Sequence, residues 1–162
     1  MEFKGFTYGY DGNRGEYKSE DGIKAQNLLF ETGANYVCLA VVANQDNAIS
    51  TEIKFDYGQT PTDRDIIAMI NNAHEHNVKV CLKPMVNTKD GVWRARITFP
   101  TLGEGDDDIY WNAWFRSYEN FMCYYAELAE EYGCEMLCIG CEMCGTEEKE
   151  SHWQRQRKYR HR

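Results

Sequence analysis

Apolar positions along this chain follow two alternating rhythms, a short extended one and a longer helical one. Residues 3–8 alternate and run into a glycine-rich stretch at 9–15, which predicts a strand followed by a loop. Ser19 can cap a helix whose first turn holds Glu20 and Asp21, at the positive end of the helix dipole. That helix is expected to bury Ile23, Leu28 and Leu29 and to stop near Gly33. Residues 36–42 are apolar without alternation, as in a strand covered on both faces. A polar loop over 43–60 leads to Thr62 and Asp65 at capping-box spacing, and Ile66, Ile67, Met69, Ile70 and Ala73 form the helical face that follows. A third strand is predicted over 78–85, then a charged, glycine-bearing loop over 86–108. Aromatic and aliphatic residues from Trp111 to Tyr132 then recur at three- and four-residue steps, giving a long amphipathic helix ended by Gly133. Residues 136–139 make a fourth strand, with Gly140-Cys141-Glu142 at its C-terminal end.

Four strands alternate with three helices, so the expected fold is α/β, with parallel strands and right-handed crossovers. The long loops follow strands rather than helices, which is the face that carries chemistry in such folds. An eight-stranded barrel needs about 200 to 250 residues or more, and this chain has 162. That is too short for a complete barrel; residues 1–153 hold the βα series, and 154–162 are expected to be a basic tail, unstructured or irregular.

Charge sharpens that division. The last twelve residues hold five Lys or Arg and no acid, while residues 1–150 hold the other 13 basic residues against all 26 acidic ones. An acidic body repels phosphates, which argues against a nucleic-acid surface. No apolar run reaches the length of a membrane span, and the N-terminus has no signal-like stretch. Seven cysteines, an odd number, then read as small buried thiols in a reducing compartment, and a cytoplasmic location is expected.

Two patterns carry candidate chemistry. Cys134-x3-Cys138-x2-Cys141 has the spacing of a radical S-adenosylmethionine iron–sulfur motif, and Cys144 extends it. Cys138 falls inside an apolar strand, however, and extended backbone separates successive residues by about 3.3 Å, so the thiols would not converge. Buried thiols are the better reading, and no metal or other cofactor is expected. The second pattern is Glu142, whose place after the fourth strand points a carboxylate into a barrel mouth. Glycosidases of one large group hold a general acid/base there. A lone surface Glu more often only solvates; position raises this one.

A series of segments in order then resembles glycoside hydrolase family 113, barrel enzymes that cleave β-1,4-mannans with retention. The segments are Lys4-Gly5-Phe6, Thr32-Gly33-Ala34-Asn35-Tyr36-Val37, Thr60-Pro61-Thr62-Asp63, Val80-Cys81-Leu82-Lys83-Pro84, Trp93, Trp114-Phe115-Arg116-Ser117-Tyr118 and Ile139-Gly140-Cys141-Glu142-Met143. The resemblance implies Glu142 as acid/base, Lys83 and Trp93 lining a sugar cleft, and Tyr8 and Asn44 contributing from the ends of strands one and two. It implies β-mannan or a related oligosaccharide as ligand. In the family the nucleophile stands on strand seven, and the resemblance stops just after strand four, so it implies the N-terminal half of a TIM (β/α)8 barrel over residues 1–153. The chain is thus expected to be inactive alone, to self-associate or to need a C-terminal half. A non-catalytic carbohydrate-binding remnant and an iron–sulfur protein are the alternatives.

Overall fold

The computed structural model describes residues 2–10, 12–100 and 108–157. Four strands, β1 (Gly5–Tyr8), β2 (Tyr36–Gln45), β3 (Lys79–Thr88) and β4 (Met136–Leu137), form one parallel sheet in the order β1-β2-β3-β4. Helices α1 (Glu20–Glu31), α2 (Asp63–Glu75) and α3 (Asp108–Glu131) make the crossovers, and α4 (Glu150–Arg157) follows β4. Sequential parallel strands joined by helices are the arrangement of half a (β/α)8 barrel. The expected fold class is observed. α4 extends four residues past Trp153, into the segment expected to be irregular, and residues 158–162 lie outside the described residues.

One face of the sheet is covered throughout; the other is open over the first part of the strands, with Ala40 and Met85 buried further along it. On β2, Val37, Leu39, Val41 and Ala43 are fully buried beneath the helices, as are Val80 and Leu82 on β3. The intervening Tyr36, Cys38, Lys79, Cys81 and Lys83 are only half-buried, because they face the open side. The continuous apolar run of β2 therefore serves one covered face and one open face. The same fact corrects the reading of buried thiols: all seven cysteines are free, five half-buried and two exposed.

α3 supplies most of the aromatic core. Trp114 is fully buried, stacks on Tyr118 at 5.0 Å and donates its indole N–H to Gln45 Oε1 at 2.9 Å. α1 docks differently from its apolar pattern. It buries Gly22, Gln26 and Phe30, whereas Ile23 and Leu28 are 43% and 56% exposed. Gln26 can be buried because both ends of its amide are paired: it donates to Tyr17 O and accepts from Asn72.

The capping box of α2 forms as its spacing predicts, with Thr62 and Asp65 bonded reciprocally. Asp65 also accepts from the Gly15 amide at 3.0 Å and pairs with Lys18 at 3.2 Å, so one carboxylate ties the β1–α1 loop to α2. Burial opposes its ionisation, but these donors overcome the penalty and bring its pKa down to about 2.

Pro84 sits inside the central strand β3 and has no N–H to give. β3 carbonyls at Val80 and Leu82 accept from Glu135 and Cys138 on the β4 side, so even-numbered residues face that neighbour. Pro84 is the next even position, beyond the two paired residues of β4. A proline is tolerated there because the ladder has already ended. The short β4 releases the chain into the Gly140–Glu142 turn.

Candidate active site

Glu142 follows β4 and has φ 54°, in the left-handed region where non-glycine residues are uncommon. That backbone costs about 1–3 kcal/mol and is held by surrounding structure. Two residues from the β3–α3 loop clasp its carboxylate. Arg94 Nη1 donates to Oε2 at 2.5 Å, and Trp93 Nε1 donates to the same oxygen at 3.3 Å.

Arg94 is the hub of this cluster. Its side chain is 3% exposed, against 52% for Glu142. The guanidinium also donates to Val86 O at 3.0 Å, to the Asn87 side-chain carbonyl and to Tyr10 Oη at 2.7 Å. A buried arginine of this kind is kept where all its planar donors find acceptors. Local turns aim it. Thr88 Oγ1 donates to Val92 O, closing the turn after β3, and residues Arg94–Arg96 form a short 3-10 turn. Gly145, after β4, fits against the Ile97 carbonyl so closely that a Cβ would collide with it. The loop bearing Trp93 and Arg94 is thereby seated on the segment that follows Glu142.

Beside this cluster lies a cleft of about 240 Å³ lined by Tyr10, Gly12, Asn13, Val42, Asn44, Gln59 and Asn87. Asn44 and Asn87 are register partners at the C-terminal ends of β2 and β3. The lining is rich in amides and has an aromatic ring at its edge, a composition suited to a polyhydroxylated neutral ligand. Trp93, 57% exposed, leaves an indole available for stacking next to the carboxylate.

The structure brings Glu142, Trp93 and Asn44 to the same face. Lys83 lies in mid-strand on the open face, close enough to Glu142 to favour its ionised form. Tyr8 is placed elsewhere. Its ring packs against Tyr17 at 5.7 Å and its hydroxyl donates to Gly22 O, so it belongs to the helix layer, and Tyr10 reaches the cleft in its place. Sequence reasoning missed Arg94, Asn87, Tyr10 and Gln59. The one local signal was Arg94 beside Trp93; nothing in the spacing shows that its guanidinium is buried.

The Trp93 hydrogen bond, and after it the Arg94 ion pair with Lys83 further off, hold the Glu142 carboxyl below its ordinary pKa, outweighing the opposing effect of desolvation. At neutral pH it is an ionised carboxylate. Among the described residues no group of three or more His, Cys, Asp or Glu is placed to hold a metal ion, and the cysteines at 134–144 do not converge. No described helix is long and apolar enough to cross a membrane.

The family model of Glycoside Hydrolase Family 113 matches residues 6–159. No curated protein matches the chain. Among solved structures, it is similar to a GH113 β-1,4-mannanase at 40% identity and TM-score 0.88, over 96% of this chain and 51% of that one. A complex structure of a GH113 β-1,4-mannanase matches at 39% identity and TM-score 0.86, with coverages of 96% and 51%. The GH113 β-mannanase AaManA of Alicyclobacillus acidocaldarius, solved in complex with ManMIm, matches at 36% identity and TM-score 0.88, with coverages of 96% and 50%. The chain thus spans about half the length of these structures. A family match across residues 6–159, with 36–40% identity over nearly all of the chain, leads to one conclusion: it belongs to glycoside hydrolase family 113.

Proposed function

We propose that this chain carries the acid/base side of a retaining β-1,4-mannanase site and binds β-mannan or a related oligosaccharide. The observation that carries the reading is Glu142, positioned after β4 by a strained backbone and clasped by Arg94 and Trp93 at the edge of an amide-lined cleft. Trp93 offers a face for the apolar C–H side of a pyranose, Asn44 offers an amide to ring hydroxyls, and Asn87, whose carbonyl is held by Arg94, offers its NH2 donors. Lys83 contributes positive charge to the floor.

Turnover requires a second carboxylate, which retaining enzymes hold about 5 to 5.5 Å from the first. That neighbour would also raise the pKa of Glu142, as like charges do, and let it hold the proton a leaving group needs. In the 162-residue chain the opposite holds, since the carboxyl is pushed down. On this reading the chain is a binding half-site, and catalysis calls for a nucleophile supplied from outside these residues.

The test is paired. Titration of the chain with mannooligosaccharides is expected to give saturable binding that weakens on Trp93→Ala, and incubation with β-mannan is expected to release no reducing sugar. Release abolished by Glu142→Gln would overturn the dependence on a second half. Absence of any binding would overturn the glycan-site reading.

A further inference from the structure

The open face of the sheet carries a pair of thiols that the glycan site does not use. Cys38 on β2 and Cys81 on β3 are direct register partners, with Thr7 of β1 opposite Cys38 on its other side. Both are half-buried and line an open recess of about 300 Å³ together with Phe3, Phe6 and Met136. Neighbouring strands lie about 4.7–4.9 Å apart, within the roughly 4.4–6.8 Å between Cα atoms that a disulfide spans. The two side chains project side by side from the same face of adjacent strands.

Their surroundings make the two sulfurs unequal. The neighbouring Cys81 favours a Cys38 thiolate and, with help from Lys83 and Thr7, outweighs burial to bring its pKa down. The Cys38 sulfur, burial and the nearby Cys138 and Cys134 push Cys81 upward. A sulfur biased toward thiolate beside one biased toward thiol is the arrangement of an attacking and a resolving cysteine. Cys123, on the outer side of α3, is the contrast. It is exposed, but partial burial of its sulfur and Glu119 and Glu127 raise its pKa.

We propose that Cys38 and Cys81 form a redox-active dithiol that closes to a cross-strand disulfide by exchange with a small-molecule disulfide. The Cys38 thiolate attacks one sulfur of the small disulfide, its S–S bond breaks, and one small thiolate leaves. That thiolate takes the Cys81 proton. The Cys81 thiolate then attacks Cys38 sulfur in the mixed disulfide and expels the second small thiolate. Two electrons pass from the protein to the small disulfide, which departs as one thiol and one thiolate.

Exposure of the folded 162-residue chain to oxidised glutathione, acid quenching, alkylation of remaining thiols and peptide mass mapping tests this. The expected product joins the Cys38 and Cys81 peptides with loss of two hydrogen atoms, while Cys123 stays free and is alkylated. Cys81→Ser should stop the reaction halfway, leaving a glutathione adduct on Cys38 ahead of any on Cys123. Recovery of Cys38 and Cys81 as free thiols, or an adduct on Cys123 forming as fast as that on Cys38, would overturn the proposal. So would a wild-type product in which Cys38 is joined to Cys138 or Cys141.

Discussion

At the residue scale, one arginine organises the site. Arg94 serves Glu142, Asn87, Tyr10 and a backbone carbonyl at once, and none of these groups is near it in sequence except Asn87 and Val86. Arg94→Ala is expected to let the Glu142 pKa rise, because its ion pair goes while the Trp93 hydrogen bond and Lys83 remain. Carboxyl carbon shifts followed against pH would show this; an unmoved titration would mean Arg94 does not control that charge. The same substitution removes charge-assisted hydrogen bonds and should cost about 2 kcal/mol of stability by urea unfolding. Glu142 itself was legible in the sequence, since a carboxylate just past an apolar strand is a local pattern. Arg94 was not, because burial of a guanidinium is decided by acceptors brought from β3, from Tyr10 after β1 and from Glu142 after β4. Tyr8 shows the converse. Its place at a strand end suggested the cleft, but strand alternation sends its ring toward the helices, and Tyr10 two residues on, past Gly9, reaches the Arg94 guanidinium.

At the element scale, loop attachment matters more than strand formation. Asp65 holds the β1–α1 loop, from which Tyr10 and Asn13 reach the cleft, against the start of α2. Its folded pKa of about 2 lies below the ordinary 3.8, so its contribution is fully present above about pH 4 and is lost as pH falls toward 2. The shift corresponds to about 2 kcal/mol at neutral pH. Asp65→Asn should lower the unfolding midpoint near pH 7 and flatten the acid limb of the stability profile; an acid limb unchanged from wild type would rule this role out. Gly145→Ala should push the Ile97 carbonyl away and loosen the turn bearing Trp93 and Arg94. Overpacking of that kind costs about 1–3 kcal/mol, and Trp fluorescence together with urea unfolding would register it. The capping box of α2 was readable because Thr62 and Asp65 are three residues apart. The docking face of α1 was not: Ile23 and Leu28 fit a helical stripe, yet Gly22 wins the close approach to the Glu16 carbonyl, and Gln26 is buried only because Tyr17 and Asn72 satisfy its amide.

At the scale of the whole molecule, the sheet is covered on one side and open on the other. Phe3, Phe6, Met136 and Ile139 are 37–61% exposed around the uncovered face and its edges, and apolar surface beside unpaired strand edges drives association. The 162-residue chain is expected to sediment as more than a monomer at micromolar concentration and to shift toward monomer as it is diluted; a monomer throughout would show that the open face tolerates water. The order of strands and helices, the parallel sheet, the caps and the position of Glu142 were set by local patterns: side-chain periodicity, turn residues and spacing act within a few residues. Three-dimensional packing alone decided which face of each strand is open, which arginine clasps the carboxylate, which tyrosine enters the cleft and which two cysteines meet. Those outcomes depend on groups brought together from separate strand ends, and no local rhythm encodes the distances between them.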